Sequence, residues 1–191
     1  MSRYFLITPF GTKKTENGDL IDFTRVQEEL VEPATKAAQL EGGTTGTVID
    51  TGSIHEDMFQ LIIESDTVIC DVTLHNANVW YELGIRHALR RKNTILIKGT
   101  PSDDTPFDVL TYRYVRYDTV APGKSVQALA RTISETVVSE RETDSPVFKM
   151  LPKLEPPDPE KIQAVPSDFS EEVERAKADQ PSAGCACSAM K

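Results

Sequence analysis

Residues 70–89 read CDVTLHNANVWYELGIRHAL. Their order sets the fold: an apolar run, a polar loop and an amphipathic stretch follow one another without a break. Upstream, Thr67, Val68, Ile69 and Cys70 extend the apolar run and predict a short buried strand. Asn76 offers an N-cap, and the spacing after it predicts a helix over about 79–91. Asp71 then lies at a strand end, the edge at which open α/β sheets bind ligands. Glu82 lies about one turn past the cap, placed to point back toward the same crevice.

Residues 4–8 (YFLIT) predict a first strand. A polar loop over 11–19 follows, a candidate lid whose Lys13 and Lys14 either reach a phosphate or are simply solvated. Phe23, Val26, Leu30, Ala34 and Ala37 fall at helical spacing and predict a helix over 22–39. Gly42, Gly43 and Gly46 lack the GK[ST] ending of a phosphate-binding loop, so they are expected to form a flexible connection into a short second strand at 47–49. Ser53 and Glu56 have capping-box spacing ahead of a helix that turns Met58, Leu61 and Ile62 to the sheet. Beyond the opening stretch, 94–97 predicts a buried strand, 105–110 a turn or short helix, and 112–117 an edge strand. A last helix over 125–139 would cover the sheet with Val126, Leu129, Ile133 and Val137. Strands alternating with helices in this way define an α/β chain with a mainly parallel sheet of about five strands.

The chain has 191 residues and a net charge of −9. That length holds one domain of about 140 to 150 residues, able to bury roughly two thirds of its unfolded surface. The domain is expected over 1–141. Residues 142–191 then form a proline-rich acidic linker or tail, broken by Pro146, Pro152, Pro156, Pro157, Pro159, Pro166 and Pro181. Within it, 167–179 has the spacing of a marginal helix. No basic stretch is long enough to follow a phosphate backbone, which argues against a nucleic acid partner. No apolar run approaches the ~20 residues of a membrane span, and no signal-peptide core opens the chain, so a cytoplasmic protein is expected. Cys70 within a strand and Cys185 and Cys187 near the end make no disulfide framework, zinc set or prenylation site.

The joint pattern of a strand-end Asp71, Asn76-x-Asn78-Val79, Tyr81-Glu82-Leu83-Gly84 and His87-Ala88-Leu89 resembles the superfamily of nucleoside 2-deoxyribosyltransferases, nucleotide N-glycosidases and TIR domains. It is closest to TIR-like, deoxyribosyltransferase-like domains at the front of bacterial multidomain proteins, which in turn resemble a region near the front of apoptosis signal-regulating kinases. The run from Tyr4 to Gly11 looks like that family's first strand and the turn bordering the sugar. The resemblance covers roughly residues 3–139. It implies a three-layer flavodoxin-like or TIR-like domain, a nucleotide or nucleoside ligand, and self-association into a homo-oligomer. The deoxyribosyltransferases commonly carry an acid five or six positions before the catalytic glutamate. This chain has Asn76, Ala77 and Asn78 there, and asparagine cannot act as a general acid.

Two functions of different class follow. The first is cleavage of the N-glycosidic bond of NAD or a nucleoside monophosphate in a signalling or defence setting. Glu82 would be the central carboxylate, Asp71 and Asn78 would hold ribose hydroxyls, and Asn76 would bind a hydroxyl or base edge. Pro9, Phe10 and Gly11 would shape the sugar wall, and Trp80 or Tyr81 would stack on the base. This chemistry requires neither metal nor cofactor. The second function keeps the pocket without turnover, as a nucleotide-sensing or protein-interaction module for a downstream domain or partner reached through the tail. Each residue also has a plainer role. Glu82 can pair with Arg86 in a solvated i,i+4 stripe, Asp71 can close an Asx turn, Trp80 and Tyr81 can be core, and Gly84 can let the helix approach the sheet closely.

Overall fold

The computed structural model describes residues 2–44, 54–104 and 112–158, with backbone alone for 54–57. The strand expected at 47–49, the element at 105–110, the capping box of Ser53 and Glu56, the helix at 167–179, Cys185 and Cys187 lie outside the described residues.

β1 (Ser2–Ile7) is buried from Tyr4 onward, as befits a strand covered on both faces. The expected lid over 11–19 is instead part of a hairpin, β2 (Thr12–Lys14) against β3 (Leu20–Asp22), with Lys13 and Lys14 exposed on it. Asp22 caps the helix that follows by accepting from Thr24 N and Arg25 N. That helix is not regular. α1 (Phe23–Val26) passes through a π-helical turn (Gln27–Val31) into α2 (Glu32–Ala37). Leu30 and Val31 in the turn are fully buried.

β4 (Leu40–Gly43) corrects the expected glycine connection: LEGG is a strand, paired in parallel with β1. Its composition hides it, because glycine is depleted in strands. The reason lies in the partner, since a Cβ on Gly42 would sit 1.9 Å from the Tyr4 carbonyl oxygen. α3 (Ile54–Glu64), β5 (Thr67–Asp71), α4 (Ala77–Leu89), β6 (Thr94–Thr100) and β7 (Tyr114–Asp118) follow. A 3-10 turn (Pro122–Ser125) then leads into α5 (Val126–Val137), where Leu129 and Ile133 are buried but Val137 is exposed.

The five sheet strands are all parallel in the order β4-β1-β5-β6-β7, which is 2-1-3-4-5 in chain order. This is a doubly wound α/β sheet whose topological switch point lies between β1 and β5. Strand alternation divides the core. Tyr4, Leu6 and Ile69 face the helices before β4 and α5, while Phe5, Ile7, Val68 and Cys70 face α3 and α4.

The domain also runs past the expected boundary at 141. Ser145 caps α6 (Pro146–Met150), accepting from Val147 N and Phe148 N and donating to His87 O at 2.5 Å. Phe148 is 1% exposed, Arg91 lies over its ring at 4.8 Å, and Arg91 Nη2 donates to the carbonyls of Pro152 and Leu154. Proline density misleads here because Pro146 sits in a helix's first turn, where proline is tolerated. Among the described residues no helix is long and apolar enough to cross a membrane.

Candidate functional site

Ile7 of β1 is in register with Cys70 of β5, so the turn through Pro9, Phe10 and Gly11 and the loop into α4 leave the same edge of the sheet at the switch point. Asn76 starts α4 there, its Oδ1 accepting from Asn78 N at 3.0 Å and Val79 N at 3.3 Å. With the start fixed, Val79 and Leu83 pack on the sheet, and Glu82 falls in the second turn beside them.

The Glu82 carboxylate is half-buried and makes no hydrogen bond or ion pair among the described residues. Burial alone pushes its pKa up to about 7. It is near enough to Cys70 to help burial and Asp71 raise that thiol's pKa, which places the carboxylate toward the sheet. The solvated stripe with Arg86 does not form. Arg86 is fully buried, and its guanidinium donates to the carbonyls of Ile62 (2.7 Å), Ser65 (2.9 Å), Asp66, Lys92 and Asn93.

Asp71 does not join Glu82. Cys70 faces α4, so alternation turns Asp71 to the opposite face of the sheet, where it is 0% exposed. Thr73 N (3.0 Å) and Thr73 Oγ1 donate to one carboxylate oxygen, and the Tyr117 hydroxyl (2.7 Å) donates to the other. Burial raises its pKa to about 6 against the opposing pull of those hydrogen bonds. Thr73 Oγ1 in turn accepts from Gly99 N, and a Cβ on Gly99 would meet Thr119 at 2.6 Å. Asp71 is therefore a structural anchor for the loop after β5, not a wall of the crevice. Nothing in the sequence linked it to Tyr117 and Thr73, although counting along the strand would have separated it from Cys70's face.

The other expected residues divide. Pro9 is buried, Phe10 is 62% exposed, and Gly11 has φ +64° and accepts from Phe23 N at 3.1 Å, tying the turn to α1. Asn78 is exposed, and its side-chain amide has no partner among the described residues, so it is open to a ligand. Asn76 spends its oxygen on the cap. Trp80 packs into the core under α3 and α4, and Tyr81 meets Phe59 edge-on at 6.3 Å. Gly84 needs no close approach, because a Cβ there would touch nothing within 4 Å.

His75 Nδ1 lies 3.2 Å from Glu16, and both His75 and Glu16 donate backbone N–H groups to Asp103. These three residues bring ligand atoms within 4.8 Å of one another. Both Asp103 oxygens are already engaged and His75 Nε2 faces Asp104 O, so the trio clamps the hairpin to the loops after β5 and β6. A cleft of about 730 Å³ lies at the opposite edge, lined by His87, Tyr112 and Asp144. The unpartnered carboxylate, not cavity size, makes the Glu82 edge the candidate for chemistry.

No protein-family model matches the chain, and no curated protein matches it. Among solved structures, a diflavin flavoprotein A3 from Nostoc sp. is similar at 10% identity and a TM-score of 0.39, over 71% of this chain and 94% of that one. The class, a doubly wound parallel α/β domain, rests on the sheet order itself.

Proposed function

We propose that the chain is a deoxyribosyltransferase-like, TIR-like domain that cleaves the N-glycosidic bond of a nucleotide, with Glu82 as its catalytic carboxylate. The observation carrying this proposal is that carboxylate: half-buried, unpartnered, and poised to ionise near pH 7 at the switch-point edge of the sheet. When the C1′–N bond breaks, its electron pair leaves with the base and positive charge develops on the ribose ring. A carboxylate beneath the ring either attacks C1′ or stabilises the cation while water attacks.

Among the described residues no second acid accompanies Glu82, because Asp71 faces the other side of the sheet. That favours a base that leaves without being protonated. The nicotinamide of NAD is such a base, since it is cationic in the substrate and neutral on departure. Asn78 and the turn through Phe10 would hold the sugar. The test is incubation of the full chain with NAD and with nucleoside monophosphates, dilute and under conditions that promote assembly, followed by chromatography for free base. Nicotinamide release is expected. If no substrate releases base under either condition, the assignment fails.

A second possibility, a nucleotide-sensing or protein-interaction module without turnover, is favoured by Asp71 and Asn76 being spent on structure. The exposed Phe10 at the same edge suits a contact surface. Nucleotide binding or self-association without base release would select it.

A further inference from the structure

The cleft of about 730 Å³ opens where β6 and β7 begin, between the last turn of α4, α5 and α6. Its volume falls within the range of small-molecule sites, roughly 300–1,000 Å³. We infer that it is a second ligand site, separate from the Glu82 edge, for a small aromatic compound carrying a phosphate.

Two features define that ligand. The His87 and Tyr112 rings line the cleft, stacked at 5.7 Å with planes 12° apart, and form an aromatic wall. Burial first, then Arg86 and Lys149, lowers the His87 pKa to about 4, so the wall is uncharged at neutral pH. The side chains around it are basic in an acidic protein: Lys92, Arg113, Arg141 and Lys149 against Glu135 and Asp144, in a chain of net charge −9. A positive cleft on a negative surface concentrates anions. Ring and anion are thus called for within one cavity, and neither depends on Glu82.

The test is a titration of the full-length chain with adenosine monophosphate, followed by amide NMR shifts, with adenosine and inorganic phosphate as the two partial probes. Shifts are expected at Tyr112, Thr136 and Lys149, together with saturable binding. Adenosine and phosphate should each bind at least about tenfold more weakly, since each lacks one of the recognised groups. The double variant R113E/R141E alters two exposed side chains and should weaken adenosine monophosphate at least about tenfold while leaving the spectrum otherwise folded. Y112A is the second variant and should weaken both adenosine and adenosine monophosphate. Shifts confined to Asn78 and Glu82, an equal response to phosphate alone, or unchanged affinity in R113E/R141E would each overturn the inference. Base release from NAD bears only on the Glu82 edge, so the two proposals fail separately.

Discussion

Asp71, Glu82 and His87 are all held against ionisation by burial, and they drive stability in opposite directions as pH changes. Asp71 has a folded pKa raised from 3.8 to about 6, so its contribution is present below 3.8 and is lost as pH rises through 6. His87 has a folded pKa lowered from 6.5 to about 4, so its contribution is present above 6.5 and is lost as pH falls through 4. Each shift is on the order of 3 kcal/mol, and the two windows nearly coincide. Between pH 4 and 6 the unmodified protein should therefore show a shallow dependence, to which half-buried Glu82 adds in the Asp71 direction. Relative to the unmodified protein, Asp71→Asn should shift the slope of stability against pH upward over this range, and His87→Gln downward. Thermal unfolding at pH 4.5 and 6.5 checks this, and a change of slope of the same sign in both variants would contradict it. For activity, an ionised Glu82 implies that kcat/KM for base release climbs with pH through about 7, and a profile flat from pH 5 to 8 would contradict that role.

At the scale of elements, α4 is held by its two ends. Asn76 fixes the first turn and Arg86 the last, where the guanidinium satisfies five carbonyls from the end of α3 and the α3–β5 and α4–β6 connections. Hydrogen bonds to a charged group contribute about 1.5–3 kcal/mol each, so Arg86→Met, which strands several acceptors, should lower stability by about 3 kcal/mol or more. The urea midpoint measures this, and a change below about 1 kcal/mol would show those carbonyls satisfied otherwise. The Asn76 cap and the helix after it were legible because side-chain capping is local. Arg86 was not, because i,i+4 spacing from Glu82 suggests a surface pair and only tertiary packing shows five carbonyls converging on its head. β4 was hidden for a similar reason: nothing in LEGG favours a strand until Tyr4 of β1 demands a residue without Cβ at Gly42.

For the molecule as a whole, alternating strands and helices made the α/β class and parallel sheet readable. Alternation along β5 puts Asp71 and Cys70 on opposite faces, but only packing shows that α4 covers the Cys70 face. That one missing fact placed Asp71 with Glu82, when the sheet separates them. The boundary at 141 failed because a helix as short as α6 has too little periodicity to register, although Phe148 is buried in its dock. Phe148→Ala should cost about 3 kcal/mol, and proteolysis from the C-terminus should stall near Leu154 and not at 141. Early trimming to 141 with no loss of stability would contradict the dock. The most direct test of the central claim is base release from NAD by the unmodified chain and by Glu82→Gln, with nucleotide affinity measured in parallel. The amide keeps size and hydrogen bonding but carries no charge for the oxocarbenium-like transition state. Release should therefore vanish while affinity stays within about tenfold, about 1.4 kcal/mol. Unchanged release in the variant would remove Glu82 from the chemistry.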